Sequence, residues 1–230
     1  MTLPSPAQKL PPCVLLTGFE PFGGETVNPS WLAVSALAGE VIAGHRVVAA
    51  ALPTVFGASL TVLQTLLQQH RPALVLCVGQ AGGRSALSLE RVAINVDDAR
   101  IPDNQGAQPL DVPVFGNGPA AYFSTLPIKA MLRSLQQAGL AAEVSQTAGT
   151  FVCNHVFYGL MHLLKRQRAP RRARGGFVHV PYLPEQVVHG NEGERLPSMA
   201  LADMVAGLRL AVATALVQGT DVAYGAGAVS

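Results

Sequence analysis

RVVAAALP (46–53), GASLTVLQTLLQQH (57–70) and ALVLCVG (73–79) read as strand, helix and strand, and the last of them decides the fold. ALVLCVG is apolar at nearly every position, as expected of a central parallel strand covered on both faces and not of a half-exposed antiparallel one. Toward the N-terminus, CVLLTGF (13–19) and NPSWLAVSALAG (28–39) add another strand and helix, which gives β-α-β-α-β and an α/β class. Toward the C-terminus, ALSLERVAINVDDARI (86–101) alternates through Leu87, Leu89, Val92, Ile94 and Val96, predicting strands or a hairpin that projects from the core. Residues 99–128 are rich in Pro, Gly, Asn and Gln and are expected to be mostly loop.

AMLRSLQQAG (130–139) predicts a helix ended by Gly139, and AAEVSQTAG (141–149) a strand running into a small-residue turn. VCNHVFYGLMHLLKRQR (152–168) has helical spacing, with Val156, Leu160 and Leu163 on one face and bases in its last turns, where the helix dipole favours them. GGFVHVPYL (175–183) predicts the next strand, and Ser198 an N-cap for a last helix from about Met199 to Gln218. The first dozen residues and the tail GTDVAYGAGAVS (219–230) are expected to fray. No internal repeat or linker divides the 230 residues, so residues 1–230 are expected to form one domain with a core at about 13–218.

Composition narrows the function. Hydrophobic residues make up 49% and charged residues only 13%, which excludes a disordered chain or charged coiled coil and favours self-association. A formal charge of +2 is too weak a field for polyanion binding, so no nucleic-acid partner is expected. Mean hydropathy is +0.31, yet the most apolar helical stretch, Met199 to Val217, contains Asp203 and Arg209, so no membrane partner is expected either. Pro4, Pro6, Gln8 and Lys9 interrupt the N-terminus before any apolar run of signal-peptide length. Three widely spaced cysteines, Cys13, Cys77 and Cys153, form neither a disulfide framework nor a zinc knuckle and point to a reducing cytoplasm.

Cys153 falls in the first turn of a predicted helix, after the small-residue turn TAGT, where free N–H groups and the helix dipole favour a thiolate. On position alone it is either a nucleophile or a small buried hydrophobe. Cys77 and Cys13, inside or opening strands, fit the second description. A thiol nucleophile needs a base that later protonates the leaving amine, and only His titrates near neutrality without large perturbation. His155 and His162 share the helix of Cys153, but two positions along faces elsewhere and nine positions along is about 13 Å away. His179 is better placed, near the carboxyl end of a strand, where sites gather in open α/β sheets. Glu90, Asp97, Asp98 and Asp103 are candidates to orient the imidazole, although most charges in such a run are solvated or paired with Arg91 and Arg100.

GFEPFGG (18–24) puts Phe19 and Phe22 in a Gly-rich loop after the first strand, able either to sandwich a small flat ring or to cap the core. GQAGGR (79–84) offers a second flexible loop at the neighbouring strand end. Neither contains a nucleotide-binding signature, and no metal-ligand spacing occurs, so no cofactor or metal is expected. KRQRAPRRAR (165–174) holds six bases in ten residues and reads as a solvated helix end and loop.

Four segments, VLLTGFEPFGGETVNPSW (14–31), GQAGGRSALSLERVAINVDDARIPDN (79–104), TAGTFVCNH (147–155) and GGFVHVPYLPEQ (175–186), strongly resemble the pyroglutamyl peptidase I family, with SMALADMVAGL (198–208) extending the match to about Gln218. The resemblance implies a cytosolic cysteine exopeptidase that removes N-terminal pyroglutamyl residues without metal or cofactor. It also implies a single three-layer α/β/α sandwich with a mostly parallel twisted sheet, assembled as a homotetramer. By motif it makes Cys153 the nucleophile, His179 the base and later acid, and Glu90 the orienting carboxylate, with Asp103 as second choice. It assigns Phe19 and Phe22 to the pyrrolidone ring and Gln80 to the neighbourhood of the lactam. Arg100 and the Cys153 backbone N–H fall to the oxyanion, and Val152 to the substrate contacts beside the nucleophile. A phosphorylase or nucleoside hydrolase on a similar sandwich would need a phosphate or ribose site, for which no motif is present. A scaffold or RNA-binding module would use the basic loop 165–174.

Overall fold

The computed structural model describes residues 12–167, 173–187 and 196–227. Its central sheet has seven strands: β1 (Cys13–Phe19), β2 (Val41–Ile42), β3 (His45–Leu52), β4 (Leu74–Gln80), β5 (Leu87–Glu90), β8 (Ala142–Ser145) and β9 (Arg174–Val180). The order across the sheet is β2-β3-β1-β4-β9-β5-β8. The pairs β3/β1, β1/β4, β4/β9 and β5/β8 are parallel, while β2/β3 and β9/β5 are antiparallel. A separate ribbon pairs β6 (Val92–Ile94) with β7 (Ala121–Phe123).

Among the described residues, five α-helices cover both faces: α1 (Pro29–Ser35), α2 (Ala58–His70), α3 (Ile128–Gln137), α4 (Val152–Lys165) and α5 (Leu201–Val217). Because strand side chains alternate, β4 sends Leu74, Leu76 and Val78 into the layer with α1, α3 and α5, and Val75 and Cys77 into the layer with α2 and α4. Two cores result, which is why ALVLCVG has no polar position. Each fully buried Leu, Val or Phe contributes roughly 1.5–3 kcal/mol. Gly139, at φ +76°, ends α3 as its sequence predicts.

Three expectations change. β5 does not project from the core: all four of its residues are buried between β9 and β8. Leu87 and Leu89 enter the α3/α5 layer, so the polar members of LSLE, Ser88 and Glu90, take the opposite face. Alternation here reflects a polar interior, and only β6 leaves the main sheet. The described part of the tail, residues 219–227, is docked: Asp221 accepts the Lys129 and Ala130 N–H groups at the start of α3, Tyr224 donates to Gln136, and Ala226 packs on the core. A carboxylate on those unpaired N–H groups stabilises a helix start by about 1 kcal/mol. Ser198 does not cap α5; Ala200 holds that position, and Ser198 bridges to Tyr182 instead. Residues 1–11, His189 and residues 168–172 of the basic loop lie outside the described residues.

Candidate active site

Cys153 is the second residue of α4, which begins after the turn Thr147–Thr150. That turn is fixed from outside. Asp98 N–H donates to the Thr150 carbonyl at 2.9 Å, and the Thr150 hydroxyl donates to the Asp98 carbonyl at 2.7 Å. Asn154, fully buried, accepts from Ile94 N–H and donates to the Ile94 and Val96 carbonyls, which ties the first turn of α4 to the end of β6. Among the described residues, no side chain caps α4, leaving its first N–H groups available for a negative oxygen.

β4 and β9 pair in register, with Gly79 opposite His179 and Cys77 opposite Phe177. Side chains at paired positions share a face, so His179 and Phe177 point into the α4 layer together. Gly79 has no side chain there, and the Cys153 sulfur takes that space: a Cβ on Gly79 would stand 2.7 Å from Sγ and 2.9 Å from the Phe177 ring. The thiol therefore lies over β4, one strand from the imidazole, whose ring packs on Phe177 with centroids 4.8 Å apart.

His179 Nδ1 lies 2.7 Å from Glu90 Oε1, and neither side chain is solvated. Glu90, facing Phe177 across the β5/β9 pair, reaches His179 diagonally from the antiparallel strand. Arg84 Nη1 binds the same Oε1 at 2.7 Å, and its Nη2 donates to the Thr147 carbonyl at 3.1 Å. Desolvation lowers the His179 imidazole below its ordinary value, against the Glu90 hydrogen bond and charge that raise it, while Arg84 adds to the lowering. Desolvation likewise pushes the Cys153 thiol up to about 12, with Glu90 reinforcing and Arg84 opposing the rise. That direction runs against the thiolate expected from the helix start, and Nδ1 of His179, facing a carboxylate oxygen, carries the proton of their hydrogen bond. Among the described residues, His179 Nε2 has no hydrogen-bond partner.

Asp103 does not orient an imidazole. Although burial favours its neutral form, the Phe56, Ala107, Gln105 and Gly106 backbone N–H groups hold its carboxyl below the usual range. Its hydrogen bonds to Phe56, Gln105 and Ala107 shape the loop that follows β6. Phe19, only 2% exposed, packs on Phe177 with centroids 6.3 Å apart. Phe22 is half-buried against Phe151 at 6.0 Å, and Phe56 meets Phe151 edge-on at 5.4 Å. Gln80 is buried and accepts from Gln186; Val152 is fully buried; Arg100 is exposed. Much of the GFEPFGGETVNPSW pattern is structural: Ser30 accepts Phe19 N–H, and Asn28 binds the Glu20 carbonyl while capping α1.

Four contributors escape the sequence reading: Arg84, Gly79, Asn154 and Phe151. Arg84 is the one cation of GQAGGR and Asn154 adjoins Cys153, but their partners lie on distant segments. Among the described residues, no cluster of three His, Cys, Asp or Glu side chains is placed to hold a metal ion.

An α/β/α sandwich with a thiol at a helix start beside a buried imidazole–carboxylate pair places the chain among the cysteine-type hydrolases. Similarity to known proteins narrows this. A family model for pyroglutamyl peptidase matches residues 13–218. The pyrrolidone-carboxylate peptidase of Cupriavidus taiwanensis is 62% identical over 211 residues, spanning 92% of this chain and 96% of that protein. That of Erwinia tasmaniensis is 57% identical over 215 residues, spanning 94% and 98%. The crystal structure of pyroglutamyl peptidase I from Bacillus amyloliquefaciens superposes with a TM-score of 0.88 at 48% identity, covering 93% of this chain and 99% of that one. The chain belongs to the pyroglutamyl peptidase family, cysteine peptidases that remove N-terminal pyroglutamyl residues.

Proposed function

We propose that this chain hydrolyses the bond after an N-terminal pyroglutamyl residue, with Cys153 as nucleophile, His179 as base and acid, and Glu90 as the carboxylate that orients His179. The observation that carries it is the free Nε2 of His179, with Nδ1 committed to Glu90, on the face of the sheet that also holds the Cys153 sulfur.

Attack by the thiol needs its proton removed, and the free Nε2 of His179 is the acceptor on that face of the sheet. The Cys153 sulfur forms a bond to the pyroglutamyl carbonyl carbon as its proton passes to His179 Nε2. The carbonyl oxygen becomes anionic and is met by the N–H groups opening α4, with Arg100 as a further cation. The C–N bond breaks, the departing amine takes the proton from His179, and a thioester remains. Water then gives a proton to His179 and its oxygen to the carbonyl carbon, and the sulfur leaves and regains the proton.

A pyroglutamyl residue has no charged amine, so an uncharged slot with a few lactam hydrogen bonds suits it. Half-buried Phe22 and Phe151, with Gln80 near the end of β4, supply apolar surface and an amide in that role. A site that pairs the lactam rejects proline, whose ring lacks the carbonyl and strands buried polar groups. We extend the proposal to a cytoplasmic homotetramer, supported by three free cysteines and by exposed Val41 and Val217 on a charge-poor chain. Among the described residues, no helix is long and apolar enough to cross a membrane.

The test is hydrolysis of fluorogenic pyroglutamyl and prolyl amides by wild type and Cys153→Ser, with iodoacetamide or a chelator. Expected are pyroglutamyl turnover that iodoacetamide abolishes and the chelator spares, a loss of at least about 10⁴-fold in Cys153→Ser, and much slower prolyl turnover. Activity retained in folded Cys153→Ser refutes the nucleophile, and equal kcat/KM on both amides refutes the lactam site.

A further inference from the structure

We propose that Arg84 is a positioning residue of the reaction, holding the Glu90 side chain against His179 while clamping the turn that delivers Cys153. This rests on the role given to Glu90 above.

Glu90 is fully buried, and burying a carboxylate is costly unless a cation or several donors meet it. Its Oε2 has no partner among the described residues, so the charge is supported through Oε1 alone, by Arg84 and His179 together. Arg84 is the only cation of the three, and its side chain keeps 25% exposure, which leaves its own charge partly hydrated. Without it, the carboxylate keeps only the imidazole as a partner among the described residues, and the oxygen that faces Nδ1 is no longer held in place.

The second arm of the guanidinium makes this more than a local ion pair. Nη2 donates to the Thr147 carbonyl at 3.1 Å, in the turn that enters α4. One planar fork therefore sets Glu90, on β5, against the segment that carries the nucleophile. A lysine ammonium supplies the charge but not two fixed donors.

The titratable groups facing His179 are Glu90 from β5, Arg84 from the loop between β4 and β5, and Cys153 from α4; β4 presents Gly79. Arg84 opposes Glu90 at both reacting groups, lowering the imidazole and the thiol that Glu90 raises. Its loss moves the acid limb of kcat/KM to higher pH. Relieved of the neighbouring cation, the imidazole is easier to protonate.

The experiment measures kcat and KM across pH on a pyroglutamyl amide, with thermal unfolding, for Arg84→Met, Arg84→Lys, Glu90→Gln and the double variant Arg84→Met/Glu90→Gln. Expected for Arg84→Met is a kcat lower by roughly 10- to 100-fold, the usual effect of losing a group that orients a site residue, with KM little changed and the acid limb moved up. Arg84→Lys keeps the wild-type limb and recovers part of kcat, and the double variant is no slower than Glu90→Gln. A pH-independent loss in Arg84→Met, or losses that multiply in the double variant, overturns the proposal. Wild-type turnover by Glu90→Gln removes the Glu90 role and this proposal with it. An impaired Glu90→Gln beside an unaffected Arg84→Met removes only the role of Arg84. Should Arg84→Met not fold, Arg84→Lys decides: partial kcat on the wild-type limb supports the fork, and full kcat overturns it.

Discussion

Two buried imidazole–carboxylate pairs stand among the described residues, and their first hydrogen bonds are alike. His179 Nδ1 meets Glu90 Oε1 at 2.7 Å, and His155 Nδ1 meets Asp97 Oδ2 at 2.7 Å. They part at the other ring nitrogen. His155 Nε2 accepts the Gly57 N–H at 3.0 Å, and its ring lies edge-on to Phe56 with centroids 5.3 Å apart, so both nitrogens and a face are committed to structure. His179 Nε2 has no partner among the described residues, and its carboxylate is backed by a cation while Asp97 has none. A His–carboxylate hydrogen bond is therefore no mark of a catalytic site. An imidazole held in one tautomer with its second nitrogen free to move a proton is.

The comparison breaks most readily on the histidines. His179→Ala is expected to lower kcat/KM by roughly 10³-fold or more, as loss of a general base does. His155→Ala should stay within about tenfold in kcat/KM but lose about 1.5–3 kcal/mol of stability, the range for a hydrogen bond to a charged group. Paired kinetics and denaturant unfolding check both, and the distinction fails if His155→Ala is inactive with an unchanged unfolding midpoint.

The carboxylates sharpen it. Glu90→Gln lets an amide N–H face Nδ1, which moves the imidazole proton to Nε2 and removes the base. A loss of about 10²- to 10⁴-fold follows, smaller than for Cys153→Ser. Asp97→Asn invites the same flip at His155, where Nε2–H would oppose the Gly57 N–H, so stability falls and kcat hardly moves. Imidazole nitrogen NMR of the two variants reads the tautomers directly.

The smallest effect is on pH dependence. Burial depresses the His179 imidazole below 6.5, so activity is expected to hold through 6.5 and fall only at lower pH. As pH drops below 6.5 the unfolded chain binds this proton first, so the His179 contribution to stability is full above that value and shrinks as pH falls. The Cys77 and Cys153 thiols act oppositely. Raised from 9.0 to about 12, they stabilise the fold below pH 9, and that contribution is lost as pH climbs toward 12. Urea unfolding between pH 5 and 11 traces both edges, and a flat alkaline edge would contradict the upward shift of the two thiols.

The central parallel strand covered on both faces was legible because ALVLCVG is apolar at nearly every position, which only a two-sided sheet accommodates; the order of strands across the sheet was not. β5 was misjudged because alternation says which residues share a face, not whether the second face meets water or a polar interior. The tail was misjudged for a related reason: Asp221 in a Gly/Ala-rich stretch gives no sign that α3 begins beside it with two N–H groups unmet.

For the site, residue chemistry and motif narrowed six histidines and a run of carboxylates to Cys153, His179 and Glu90, since a thiol, a near-neutral base and an acid are legible as residue types. Which acid belongs to which base was decided by the fold. Glu90 and Asp97 are seven residues apart, and β5 carries the first to His179 while the segment after β6 carries the second to His155. The same holds for Arg84 on Glu90 and for the empty Cβ position of Gly79 under the thiol. A sequence lists donors, acceptors and gaps. Tertiary structure pairs them, because hydrogen bonds and packing act over a few ångströms between segments that the chain keeps tens of residues apart.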